Sequence, residues 1–564
     1  MADEIFLDNL NSEVSEGAKF ISSEWAYFGD NNMGHYESHN VTFDTSNIIG
    51  GDTFFLWSEA ILVLPTVSQI MIAKKTTNVG CTLTEVDYAM IPKSGSHNWV
   101  HQLTATVDGK TLPTTYLFQN EISNARLLME TSSDGLTKNG SLRNFYPDTA
   151  NSWKYKVAPT DGNVKGYSNN RIQNSTASTG YDALFNAPAI NGGLQKRGNY
   201  VCDGATNPNT IAITGTIASA IQVCKNVAYF DNTGSTAMYL INDVCIPLKD
   251  ISSFHKALDF PVKALSQQLV FQINDGVSTC IQHQTASTAV IAYVVPLTST
   301  HLGTCPIMIT DAFLTKAASY KVAATVDVVS EWNIVMTNSV GTKLTTPSGA
   351  TISPHLAQCR IYVPYVKFSP TWYPKSDKKI IKFSNYTYYG NAVNQGGATN
   401  PNININIASL IPNLKRVFMF CYVSDKNADQ VVSTLLSPFA DGNPTATWFT
   451  QEVLSINNIP FSRTPNNYLF ETFIKELRTA SLNGGIDDSL CSGLLNSNDH
   501  ASLYSGLKVW DVSRNPAVMS ASSVQVSYAA TMQTLLPVDF HFFLESEKAC
   551  EINLQTGSVI SANL

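Results

Sequence analysis

A chain of 564 residues is too long for one ordinary hydrophobic core, so two to four domains are expected. Charged residues make up only 14%, against about 25% in an average soluble protein, and Asn, Thr, Ser and Gln must cover the surface instead. The net charge of −8, with no long Lys/Arg run, excludes binding of nucleic acid through a basic face. A surface of this kind suits packing against copies of itself or against glycan.

The opening segment, MADEIFLDNLNSEVSEGAKF, has neither a basic nor an apolar region and does not read as a signal peptide. No apolar stretch reaches the roughly 18 residues of a membrane helix. A soluble protein made in the cytosol is therefore expected. Residues 1–35 read as a polar arm with a small apolar stripe at Ile5, Phe6, Leu7 and Leu10. From Val41 onward, short apolar or alternating runs recur between polar loops, and these predict strands. Ala60–Leu64 reads as a strand buried on both faces. Pro65, which has no amide proton, should end that strand or place it at an edge. Val100–Val107 alternates in part, and Asp108-Gly109 supplies a hairpin turn. Phe118, Ile122, Ala125 and Met129 stand at helical spacing.

Residues 132–211 are poor in apolar runs and read as an outward insertion, with a variable region extending to 225. Strands are expected again at 227–230, 238–241, 244–248, 268–273, 289–295, 325–329, 333–336 and 360–368. Pro364, Pro370 and Pro374, followed by Lys375, Lys378 and Lys379, mark the best domain boundary, and the lysines read as a solvated linker. Beyond it, strands are expected at 379–383, 386–389, 415–423, 507–511, 524–528 and 539–544. A helix is expected over 466–477, with Asn466 as its cap. The residues thus describe an all-β chain of two successive sandwiches with long loops and a few short helices.

Motifs for catalysis are missing. There is no GxSxG, HExxH or Walker-type phosphate loop; Gly109-Lys110-Thr111 has Thr104 where that loop needs glycine. The pairs His35/His39 and His97/His101 have no third ligand at metal spacing and read as surface histidines. Asp243, Asp250 and Asp259 form a carboxylate pair only if the fold gathers them, as in a jelly-roll glycosidase, and strand-end acids more often cap turns. Trp99, Trp153, Tyr167 and Tyr181 are candidate exposed aromatics for stacking on sugars. The ten cysteines contain no CxxC pair and read as free, mostly buried thiols. Without a secretory signal, the sequons at Asn40, Asn139, Asn174 and Asn385 carry no weight. No catalytic, cofactor or metal site is assigned, and no cofactor is expected.

Five stretches in order resemble the major capsid proteins of virophages and polinton-like viruses, of the double jelly-roll lineage. They are EWAYFGDNNMGHYESHNVTFDTSN with SEAILVLP (24–65), SGSHNWVHQLTATVDGKT (94–111), VCIPLKDISSFHKALDFPVKALSQQLVFQIN (244–274), IASLIPNLKRVFMF (407–420) and SYAATMQTLLPVDFHFFLESEKACEINLQTGSV (527–559). Residues 132–225 match nothing in that family. The resemblance implies a structural protein and not an enzyme: two eight-stranded jelly rolls, 36–374 and 375–564, after an arm over 1–35. It also implies a homotrimer of pseudo-sixfold outline that tiles an icosahedral virion shell. Its partners would be neighbouring copies, penton and minor capsid proteins, with no sequence-specific nucleic acid and no spanning segment. The arm would lie beneath the shell. From other classes, a carbohydrate-binding spike or adhesin and a jelly-roll glycoside hydrolase remain as alternatives.

Overall fold

The computed structural model describes residues 20–33, 40–46, 53–74, 91–112, 118–147, 227–232, 235–263, 265–274, 276–285, 288–296, 328–336, 358–368, 378–393, 402–423, 449–461, 467–480, 507–513, 524–532 and 538–563. Short pieces at 154–156, 166–168, 197, 307–308, 344–345, 351–352, 482, 493–495 and 515 are also described. Most of the expected insertion (132–225), His35, His39, Trp153, Tyr181 and Asn466 lie outside these residues.

Among the described residues, all the strand pairs are antiparallel. In the first half, a ten-stranded sheet centres on Ile61–Lys74, flanked by Ser235–Pro247 on one side and by Arg360–Phe368 and then Val328–Met336 on the other. It faces a four-stranded sheet in the order Asn40–Asp44, Gln267–Ile273, Val100–Val107, Lys110–Thr111. In the second half, a five-stranded sheet is built from Lys378–Val393, Val538–Asn553, Leu414–Val423, Lys508–Asp511 and Val559–Asn563. It packs on a four-stranded sheet of Asn402–Ile411, Val524–Met532, Phe449–Ile456 and Ile459–Pro460. Among the described residues, no strand of 20–368 pairs with a strand of 378–563. This is a double jelly roll, and its first large sheet carries more strands than the eight-strand pattern needs.

Two prolines correct the expectations. The strand beginning at Ile61 does not stop at Pro65 but runs on to Lys74. On one side its partner is Arg360–Phe368 as far as Val63, and Val328–Met336 takes over at Thr66. Pro65 stands in that changeover, where an amide proton is least needed. Burial also alternates there, with Leu62 and Leu64 enclosed and Ile61 and Val63 half-buried, so the strand is not covered equally on both faces. Pro364 is likewise inside a strand and not in a linker. Its neighbour changes from Ile61–Lys74 at Tyr362 to Thr53–Phe55 at Tyr365.

Residues 20–29, within the span expected as an arm, form an edge strand paired along Arg360–Phe368. The polar stretch after Ser132 opens with a helix, Ser133–Arg143, despite Gly135 and Gly140. The Ser132 hydroxyl accepts the Gly135 amide at 3.1 Å, Asn144 closes the helix in the left-handed region, and Asp134 pairs with Lys138 at 2.7 Å. The hairpin at Asp108-Gly109 matches its turn signal: φ is +48° and +72°. The second-half helix is Phe470–Thr479, with Leu469 at the cap position.

Candidate functional site: the seam between the jelly rolls

Buried apolar residues of both halves form one continuous cluster, so the seam between the jelly rolls is itself core. Its first-half side is the helix Gln119–Glu130, in which eleven of twelve residues are buried, together with the short helix Ser253–Ala257. The second-half side is the row Tyr386, Tyr388, Phe418, Phe420, His541 and Phe543 on the five-stranded sheet. Phe118 packs on Tyr388 at 4.7 Å and edge-on to His541 at 5.7 Å; Phe543 meets Tyr388 at 5.3 Å and Phe420 at 5.5 Å. The opposite face of the same sheet packs Phe540 and Phe542 against Tyr528. Both faces are covered, and that is why Leu414–Val423 and Phe540–Leu544 read as nearly unbroken apolar runs.

Toward one end the seam turns polar. Tyr388 Oη lies 3.1 Å from His541 Nδ1, which is 3.6 Å from Glu121. Desolvation pulls His541 down to about 4, so it is neutral at pH 7. Further along, the Arg126 guanidinium lies over the Tyr386 ring at 5.8 Å, and a cleft of about 800 Å³ opens. Glu130 bonds Lys256 at 2.6 Å, Arg416 bonds Glu545 at 3.0 Å, and Glu547 stands 3.4 Å from Lys382 and 3.8 Å from Lys415. Burial acts to raise the Glu130 carboxyl, but Arg126 and Lys256 outweigh it and hold it below its usual range. Each of these carboxylates is matched with a base of its own half, and the Arg126–Tyr386 contact is what spans the cleft.

A second set of ties crosses the seam at the Asp108-Gly109 hairpin. Lys110 Nζ donates to the Val559 carbonyl at 2.8 Å, and the Val559 amide donates to Asp108 Oδ2 at 3.1 Å. Lys110, the residue of the apparent phosphate-loop fragment, thus serves as a strut.

The structure disperses the candidate residues. His97 and His101 are buried, not on the surface. His97 Nε2 lies 2.5 Å from Asn124 Oδ1, and His101 stands edge-on to Phe118. Burial lowers His97 to about 4. Asp250 is buried against Arg143 at 3.1 Å and desolvation raises it to about 6, Asp259 faces Lys379 at 3.9 Å, and Asp243 is exposed. Trp99 is enclosed, and Tyr167 lies on a short strand. Among the described residues, the large exposed aromatics are instead Trp25, 56% exposed, and Tyr27, 60% exposed, on the edge strand; Arg360 lies over the Tyr27 ring at 4.9 Å. Among the described cysteines, Cys359, Cys421 and Cys550 are buried free thiols and Cys245 is half-buried. No group of His, Cys, Asp and Glu that could hold a metal occurs among the described residues.

The second jelly roll's other sheet has one open face. On Asn402–Ile411, Asn402, Asn404 and Asn406 point out while Ile403, Ile405 and Ile407 point in. The Gln525 amide donates to Asn406 at 3.2 Å and the Thr531 hydroxyl to Asn402 at 2.8 Å, so polar side chains brace one another across strands. The three main strands of this sheet contain one charged residue, Glu452, and it is buried.

No protein-family model matches the chain, and no curated protein matches its sequence. Solved structures do resemble it. The 3.5 Å cryo-EM structure of the Sputnik virophage aligns over 97% of this chain and 89% of its own, with a TM-score of 0.52 at 11% identity. The mavirus major capsid protein aligns over 99% and 94%, TM-score 0.47, at 11% identity. The Faustovirus major capsid protein aligns over 96% and 92%, TM-score 0.42, at 9% identity. The double jelly roll thus rests on the sheet topology and on the first of these likenesses.

Proposed function

We propose that this chain is a major capsid protein, whose two upright jelly rolls form homotrimers of pseudo-sixfold outline that tile an icosahedral virion shell. The observation that carries the reading is the full-length match of both sandwiches, in order, to the structure from the Sputnik virophage. In this reading the domains are 36–374 and 375–564, and the role is structural, not enzymatic. Synthesis is in the host cytoplasm, and the partners are neighbouring copies, penton and minor capsid proteins.

Physical features support it. The continuous seam joins the two jelly rolls through one buried apolar cluster. The charge-free face at Asn402, Asn404 and Asn406 can be covered without burying an unpaired charge, and the exposed Trp25 and Tyr27 suit an aromatic anchor between copies. Light scattering of the purified chain, with negative-stain images of the same peak, tests the reading. A stable trimer with hexagonal outline is expected, and a well-behaved monomer under assembly conditions would overturn it. Removal of residues 1–19 should leave the trimer intact and impair shells.

A further inference from the structure

We propose that Lys508 and Glu452 become joined by a self-formed amide bond that ties together the two sheets of the second jelly roll. The proposal is independent of the capsid reading. Glu452 lies on Phe449–Ile456 in the four-stranded sheet, and Lys508 on Lys508–Asp511 at the margin of the five-stranded one. Their side chains are each 2% exposed, and Lys508 Nζ touches Glu452 Oε2. The Tyr528 hydroxyl donates to that same oxygen at 2.7 Å, and the Tyr468 backbone amide donates to Oε1 at 3.2 Å.

An ammonium has three donors, yet among the described residues Glu452 supplies the one oxygen bonded to Nζ. The remaining neighbours are ring faces: Phe449 at 4.9 Å and Tyr468 at 5.4 Å. Those ring contacts offset only a small part of the cost of keeping two ions out of water. The proposed reaction begins with the passage of one proton from Nζ to Oε2, which frees the Nζ lone pair. Cys421 is nearby, but burial pushes its thiol up to about 12, so it stays protonated and leaves the amine as the nucleophile.

The Nζ lone pair adds to Cδ of Glu452, and the displaced C=O electron pair moves to Oε1, where the Tyr468 amide receives it. As the adduct collapses, the carbonyl re-forms at Oε1 and the Cδ–Oε2 bond breaks. The second amine proton passes through the Tyr528 hydroxyl to Oε2, which leaves as water. Amine and acid become amide and water, and nothing is oxidised or reduced.

Intact-mass measurement of the purified, folded chain tests this. The expected mass is lower than the sequence mass by one water, and proteolysis should release a branched peptide joining the segments around residues 452 and 508. Lys508→Arg should restore the full mass, and Tyr528→Phe should slow the loss at least tenfold when chain recovered unfolded at full sequence mass is then refolded. Circular dichroism of each variant confirms that it folds. Full sequence mass in the folded wild-type chain overturns the proposal, as does a water loss without the branched peptide.

Discussion

The two sheets of the second jelly roll are built from the same sandwich logic but live in different surroundings. The five-stranded sheet is covered on both faces, by Tyr528 and its neighbours on one side and by the helix Gln119–Glu130 on the other. The four-stranded sheet has one covered face and one open, charge-free face. The first therefore spells RVFMFCYV and the second NININI. Strand sequences report how many sides are buried, so an antiparallel strand that lacks alternation points to a third layer.

The largest expected effect tests the doubly covered sheet. Phe543→Ala removes a fully buried ring from the seam and should cost about 3–5 kcal/mol in denaturant unfolding. A cost below about 1 kcal/mol would mean that the seam is not core. Acid comes next and should act on the buried histidines, not on the open face. His97, His255 and His541 are each held near 4 by desolvation, against 6.5 when unfolded. Because their folded values are depressed, each contributes stability that is present above pH 6.5 and is lost as pH falls through 4, by up to about 3 kcal/mol. Asp250, raised to about 6, runs the other way, and its contribution grows as pH falls from 6 toward 3.8. Burial raises Glu476 as well, in the same direction as Asp250; with three against two, melts at pH 5 should lie below those at pH 7, and His541→Asn should reduce the gap.

Gly109→Ala is smaller. Nothing lies within 4 Å of the added Cβ, so only the backbone at φ +72° resists, at about 1 kcal/mol by thermal unfolding. The smallest effect on stability belongs to the open face. Asn404→Ala should change unfolding by less than about 0.5 kcal/mol. Asn404→Lys should likewise leave the single chain's melt unchanged while lowering trimer or shell yield on sizing. Unaltered assembly would show that this face stays uncovered.

Much of this fold was legible in the sequence because alternation, turn chemistry and short strands are local signals. The Asp108-Gly109 hairpin, the helix near Phe118 and the strand at Arg360–Phe368 were all readable in that way. Pro65 and Pro364 misled because their tolerance depends on which neighbouring strand ends beside them, information held about 300 residues away. The histidines misled for a related reason. Spacing shows that His97 and His101 are near each other, but only packing shows that Asn124 and Phe118 enclose them. The seam left a trace, the unalternating runs, that could have been followed. The Lys508–Glu452 contact left none, since its partners are 56 residues apart and carry no motif.

The hairpin struts bear on how the protein is made. Asp108 and Lys110 leave the ribosome long before Val559, the residue that satisfies them 451 and 449 positions later. The first jelly roll can assemble its own sheets early, but its docking surface stays wet until synthesis is nearly over. Closure of the seam then serves as a completeness check. A chain interrupted before the strand Val538–Asn553 lacks His541 and Phe543 of the seam and leaves the apolar flank of the first jelly roll open.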